Sequence, residues 1–168
     1  MERELRVGIG YDSHPLAPGR KLVLGGVEVP YDKGLLGWSD ADVAIHAMID
    51  ALCGAADLGD IGTQFPPEEP EHEGISSLTL LNRVHELVKA KGFSVANIDT
   101  TIIAQCPKLS PFIPEMRKRI SQVLGIEPTQ VTIKATTTDG LGFIGREEGI
   151  AAQSVALIQK GGSAPPSF

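Results

Sequence analysis

Apolar and polar positions change period several times along the chain, and each change marks an element. Residues 5–13 form an apolar run rich in valine, isoleucine and leucine, and residues 21–29 form a second. Both read as β-strands, joined through the proline- and glycine-bearing segment 15–19. Gly25 and Gly26 mark a bend or bulge. Ser39 followed three residues later by Asp42 suits a helix amino terminus, and that helix runs to about residue 56. It is almost wholly apolar from 43 to 53, so it is expected to be buried. Residues 58–74, rich in proline and glutamate toward the end, read as a long loop of the kind that often carries function. From 76 to 91 the positions Leu78, Leu81, Val84, Leu87 and Val88 recur at helical spacing, and Gly92 stands where a helix would stop. Next come a strand over 93–104, a helix over 111–124 ended by Gly125, a strand over 131–137 and a last strand over 150–158.

Strands and helices mix without a strict βαβ rhythm and with one early strand pair. The pattern therefore predicts an α+β fold, a single-domain sandwich over residues 1–160 with a mixed β-sheet covered on one face by α-helices. The glycine-, serine- and proline-rich residues 161–168 are expected to form a disordered tail.

The chain has 168 residues, 42% of them hydrophobic, enough for one good core and little more. No run approaches the roughly 18 apolar residues of a membrane span, and the acidic, polar start lacks the regions of a signal peptide. A cytoplasmic protein without a membrane partner is expected. A formal charge of −6 argues against nucleic acid as a partner, because phosphate-backbone affinity needs clustered cations. Cys53 and Cys106 fit neither a disulfide framework nor a zinc-ribbon spacing and read as free thiols.

Against that background, a few polar groups stand out. Asp12 and His14 lie two apart in an extended stretch, so their side chains leave the same face. They read either as a metal clamp or as a turn-forming pair before Pro15. His46 is a lone imidazole in the apolar helix and needs a partner, either a core hydrogen bond or a metal. With the Asp-x-His pair it makes up two histidines, one carboxylate and an open position, the pattern of a catalytic zinc site. Asp50, one helical turn beyond His46, could orient the imidazole or pair with a neighbouring cation. Downstream, Thr136, Thr137, Thr138 and Asp139 are followed by a glycine-rich stretch that ends at Arg146. These groups could meet phosphate oxygens, with Asp139 holding a magnesium or manganese ion, or could be an ordinary strand followed by a glycine loop. Their spacing is neither a P-loop nor a dinucleotide fingerprint.

Taken together, these segments closely resemble the 2-C-methyl-D-erythritol 2,4-cyclodiphosphate synthase family over about residues 6–160. The most specific stretch is Ser-Asp-Ala-Asp-Val-Ala-Ile-His-Ala-Met-Ile-Asp-Ala-Leu, starting at Ser39. It is supported in order by Gly-Tyr-Asp-Ser-His, Leu-Gly-Asp-Ile-Gly, Ile-Ile-Ala-Gln-Cys-Pro-Lys and Lys-Ala-Thr-Thr-Thr. The resemblance implies a homotrimer with active sites between subunits. It also implies Zn2+ on Asp12, His14 and His46, and Mg2+ or Mn2+ at the phosphates through Asp139. It implies a small-molecule cytidine diphosphate substrate that is cyclised with release of CMP in non-mevalonate isoprenoid biosynthesis, a metal-dependent phosphorus–oxygen lyase reaction.

By residue, the resemblance puts Ser39 on the substrate; Asp60, Ile61 and Gly62 on the erythritol; and Phe65 and Glu69 in the following loop. Ala104, Gln105, Cys106, Pro107, Lys108, Leu109 and Ser110 would cradle the cytosine and ribose. Thr136, Thr137, Thr138 and Asp139 would meet the phosphates, with Thr137 the transition-state contact, and Phe143 and Arg146 fall at further ligand positions. An axial cavity for an isoprenoid diphosphate would lie near Arg146 and Glu148. The chain departs from the family pattern at three places. Trp38 occupies the position of a catalytic histidine, Asp139 replaces a glutamate, and Pro67 stands where an acid is common.

Overall fold

A strand that alternates glycine with large apolar residues lets a helix approach very closely on one side, and the first strand does this. The computed structural model of the chain describes residues 4–67 and 69–160. It opens with β1 (Glu4–Pro18), paired antiparallel along most of its length with the last strand, β7 (Gly149–Lys160). Side chains two apart share a face, so Gly8, Gly10, Asp12 and His14 lie on one side of β1 and Val7, Ile9 and Tyr11 on the other. Helix α1 (Val43–Ala55) packs on the glycine side. A Cβ on Gly8 would sit 1.9 Å from the Ala51 carbonyl oxygen, and one on Gly10 1.9 Å from that of Ala47. Moving up the strand from Gly8 to Gly10 steps one turn back along the helix. The next step brings Asp12 level with His46.

The sheet runs in the order β4 (Lys33–Leu35), β1, β7, β5 (Ser94–Ile103), β6 (Val131–Thr136). Every neighbouring pair is antiparallel except β5 and β6, which run parallel. β2 (Leu22–Leu24) and β3 (Val27–Val29) make a separate hairpin. Helices α1, α3 (Ser77–Ala90) and α4 (Ile113–Leu124) close the core over one face. Ile45, Met48, Ile49 and Leu52 of α1 are fully buried there, and each contributes about 1.5–3 kcal/mol through removal from water. A buried polar pair in the sheet, Thr100 Oγ1 and Ser154 Oγ, is mutually satisfied at 2.8 Å. The opposite face carries Val7 and Ile9, 67% and 63% exposed, with Leu5, Tyr11 and Val155 beside them. The fold is thus α+β with a mixed sheet and helices on one face.

Several local expectations are corrected. β1 does not stop before the 15–19 segment but continues to Pro18, because β7 pairs with it as far as Pro15 and β4 takes over at Leu16–Pro18. Residues 21–29 do not pair with it; they fold back on themselves at Gly25 and Gly26, whose φ values of +58° and +75° suit glycine. The cap of α1 is Asp42, which accepts from Ile45 N at 3.1 Å, and not Ser39. The 58–74 segment contains a short helix, α2 (Ile61–Gln64), and a 3-10 turn over Pro70–His72. The helix ended by Gly125 agrees with its left-handed φ of 60°. The tail, 161–168, lies outside the described residues.

Candidate metal centre and nucleotide cleft

Where β1 leaves α1, three side chains converge. His14 Nδ1 donates to the Leu36 carbonyl at 2.7 Å, which leaves Nε2 bare, 3.1 Å from Asp12 Oδ2. The same Asp12 oxygen lies 2.9 Å from His46 Nδ1. On the far side of the ring, His46 Nε2 meets Ser77 Oγ at 2.9 Å and Ser39 Oγ at 3.1 Å. Ser77 Oγ gives its own proton to Asp40, so its oxygen accepts from His46 Nε2–H and Nδ1 is the bare nitrogen. Two imidazole lone pairs and a carboxylate oxygen thus lie within 4.8 Å of one another, with the outward nitrogens of both rings engaged. That donor set, with ring tautomers fixed from behind, suits a divalent metal ion.

The electrostatics agree with the geometry. Burial raises the Asp12 carboxyl, but the closeness of the His14 and His46 rings, which favour its ionised form, outweighs this and holds its pKa at about 2. The same closeness of the Asp12 carboxylate raises the His14 imidazole above its ordinary value, against the opposing effect of desolvation. A carboxylate that stays ionised beside two imidazoles favours a cation between them.

Asp50 does not orient His46. Its Oδ1 accepts from Ile61 N at 2.8 Å, which ties the start of α2 to α1. The groups behind His46 are Ser77 and Asp40, and sequence reasoning missed both. Asp40 sat inside a motif read as a helix start, Ser77 read as an ordinary first-turn residue, and they are 37 positions apart. No local pattern links them.

Around the three ligands runs a cleft of about 220 Å³ lined also by Trp38, Ser39, Ile61, Gly62, Phe65, Pro67, His72 and Leu80. Trp38 stands at its rim, 48% exposed. Asp60 caps α2 through Thr63 N and Thr63 Oγ1, both at 2.7 Å. Glu69 lies outside the lining, 3.6 Å from His72 Nε2, which Glu71 also approaches at 3.3 Å.

A second cleft of about 410 Å³ is lined by Ala104, Gln105, Cys106, Pro107, Lys108, Leu109 and Ser110 together with Ala135, Thr136 and Thr137. β5 and β6 end side by side here, and their parallel register puts Ile103 beside Thr136. Gln105 Oε1 accepts from Gly140 N at 3.1 Å, which binds the loop after β5 to the loop after β6. In that second loop Thr137 Oγ1 lies 3.3 Å from Asp139 Oδ1, and Thr138 Oγ1 donates to the Leu141 carbonyl at 2.6 Å. Asp139 has a left-handed φ of 53° and belongs to neither metal-type group found among the described residues. Phe143 is exposed, on α5 (Gly142–Gly145); Arg146 is exposed just after it and paired with Glu148 at 2.9 Å. The two clefts share no lining residue. One chain keeps the candidate metal ligands and the candidate nucleotide loop apart.

Comparison with known proteins gives a consistent picture. The model of the YgbB family matches residues 5–159. A protein of Pelotomaculum thermopropionicum named 2-C-methyl-D-erythritol 2,4-cyclodiphosphate synthase is 58% identical over 160 residues, which covers 95% of this chain and 99% of that one. The bifunctional IspDF of Campylobacter jejuni superposes with a TM-score of 0.92 at 38% identity, over 95% of this chain and 43% of that larger one. An IspF of Plasmodium falciparum, solved as a CDP complex, superposes with a TM-score of 0.84 at 32% identity, over 96% of this chain and all of the other.

Proposed function

Because the chain belongs to the YgbB family, we propose that it is a cyclising enzyme that converts 4-diphosphocytidyl-2-C-methyl-D-erythritol 2-phosphate to 2-C-methyl-D-erythritol 2,4-cyclodiphosphate and CMP in the non-mevalonate isoprenoid route. The observation that carries this reading is the convergence of Asp12, His14 and His46 on one point, within a chain 58% identical to a synthase of that name. The catalytic unit is residues 1–160, cytoplasmic and homotrimeric.

In the reaction an oxygen of the 2-phosphate forms a bond to the β-phosphorus. The bond from that phosphorus to the oxygen bridging it to the α-phosphorus breaks, and CMP leaves with the electron pair. Nucleophile and leaving group belong to one molecule, so the work of the protein is to hold them in line. The loop 104–110 takes the cytosine and ribose. Thr136, Thr137 and Thr138 offer hydroxyls to the phosphates, with Thr137 placed for the transition state. Ser39, Asp60, Ile61 and Gly62 hold the erythritol end, with Phe65 and Glu69 alongside. Trp38 can donate one indole N–H but cannot carry charge, so its part is orientation. Zinc on Asp12, His14 and His46, and magnesium or manganese between Asp139 and the phosphates, would neutralise charge on the transferred phosphoryl group.

Two observations support the trimer. The metal-type cleft and the nucleotide cleft are separate on one chain, so a neighbouring copy is needed to bring a nucleotide loop to a metal group. The open face of the sheet carries Leu5, Val7, Ile9, Tyr11 and Val155, an apolar strip of the kind that subunits cover. Arg146 and Glu148 then belong to an axial cavity able to accept an isoprenoid diphosphate.

The test is a phosphorus NMR time course of the protein with the cytidine diphosphate substrate, zinc and magnesium. Two mutually coupled doublets and a CMP singlet are expected. Free inorganic phosphate would instead identify a hydrolase. An unchanged spectrum from zinc-loaded protein would identify a binding protein without turnover.

A further inference from the structure

We propose that Glu69, Glu71 and His72 form a second divalent-cation site, suited to Zn2+, beside the first. Pro70–His72 is a 3-10 turn, and Glu69 stands at its amino-terminal cap position. Residues three apart eclipse in such a turn, so Glu69 and His72 share a side. Glu71 reaches the ring from the adjacent position. Among the described residues, this set and Asp12–His14–His46 are the two places where three metal-type donor atoms lie within 4.8 Å of one another.

Two exposed carboxylates alone would be a solvated surface, and the imidazole is what makes the cluster a site. His72 is only 4% exposed. Its Nδ1 lies 3.2 Å from the Pro66 carbonyl, which can only accept, so Nδ1 carries the proton and Nε2 presents a lone pair. That lone pair points at Glu71 Oε1, 3.3 Å away, and Glu69 Oε2, 3.6 Å away. Ionised carboxylates only accept, so a buried nitrogen acceptor faces two further acceptors, and a cation satisfies all three at once. The separations fit an ion better than a shared proton. Both exceed the roughly 2.7–3.2 Å of a hydrogen bond, whereas two donors each about 2.0–2.1 Å from a tetrahedral ion lie roughly 3.4 Å apart. Arg83 Nη1, 3.9 Å from Glu71 Oε1, is too far to satisfy that oxygen by a hydrogen bond. One imidazole and two carboxylates leave a fourth position for water, a donor set suited to Zn2+.

A cation here acts on the neighbouring cleft. The His72 ring meets Phe65 edge-on, with centroids 5.6 Å apart, and both rings line the cleft that contains Asp12, His14 and His46. Coordination at Nε2, with Pro66 holding Nδ1 from behind, fixes one wall of that cleft.

The test uses Zn2+ alone. Equilibrium dialysis would compare wild type, His72→Gln and Glu71→Gln, and long-range proton–nitrogen NMR of the histidine rings, assigned with His72→Gln, would follow Nε2 of His72 as zinc is added. Wild type is expected to take up a second equivalent of zinc that moves the His72 Nε2 resonance, and both variants to lose that equivalent. Zinc uptake that leaves the His72 resonance unmoved overturns the proposal, as does equal uptake by wild type and Glu71→Gln. A His72 ring protonated at both nitrogens and indifferent to zinc identifies an imidazolium held by two carboxylates and also overturns it. These criteria hold whether or not Asp12, His14 and His46 bind zinc. If His72→Gln fails to fold, Glu71→Gln decides, because its side chain is 67% exposed and supports no packing.

Discussion

His46 shows how much of a candidate metal centre lies behind the groups that would hold the ion. Buried in an apolar helix, its ring would be free to present either nitrogen, and the chemistry needs Nδ1 bare. Ser77 settles the matter by donating to Asp40 and leaving its oxygen to accept from Nε2–H, while Ser39 stands 3.1 Å away as a second acceptor. Asp40 also accepts from Ser77 N at 2.9 Å, so the carboxylate that orients the hydroxyl also caps α3. Replacing Ser77 by alanine removes the relay but leaves Ser39 in place. We expect zinc affinity to fall by about tenfold, the lower end of the range for outer-shell changes, in a protein that still folds. Chelator competition measures it, and an unchanged affinity would show that Ser39 alone holds the tautomer. The convergence of the candidate ligands could be anticipated from sequence, because Asp12 and His14 are two apart on a strand and His46 is an isolated polar group in an apolar helix. Their support could not, because it spans residues far apart in the chain.

At the scale of elements, the site exists because α1 lies almost directly on the backbone of β1. Gly8 and Gly10 permit that approach, and each is followed two residues on by the next residue of the same face until Asp12 and His14 take over. A methyl group on Gly10 would meet the Ala47 carbonyl and the Ala51 nitrogen, neither of which can turn aside. Gly10→Ala is therefore expected to destabilise the fold by about 3 kcal/mol, at the upper end for overpacking, and to push α1 off the strand. Urea unfolding gives the first quantity, and loss of zinc affinity reports the second. Helix α3 was legible from its hydrophobic period because it buries one face, and α1 from its nearly unbroken apolar run because it is buried almost all round. The strand pairings were less so. The 21–29 run has the composition of a strand, but composition carries no information about its partner, and in the structure it pairs with itself as the β2–β3 hairpin.

At the scale of the whole molecule, the open sheet face and the two separate clefts both fit the proposed homotrimer. Ile9 lies in the middle of that face and makes no contribution to the core of a single chain, so Ile9→Glu is expected to leave the fold and the zinc site intact. If the proposed trimer forms through this face, the variant should sediment as a monomer and lose cyclisation because the two clefts are separated; a fully active trimer would show that the subunits meet elsewhere. The sequence by itself determined the longer elements, the glycine-and-apolar alternation of β1 and the residue types gathered at both candidate sites, since each is a property of local pattern or of ordered motifs. Only the tertiary structure decided which face of β1 is the interior. Alternation distinguishes two faces but does not say which one a helix covers, and here the glycines face inward and the large apolar side chains outward. Tertiary structure also decided that Asp50 serves α2, that Ser77 and Asp40 serve His46, and that Tyr31 donates to Glu147. These are contacts between residues distant in sequence, and chain spacing does not encode them.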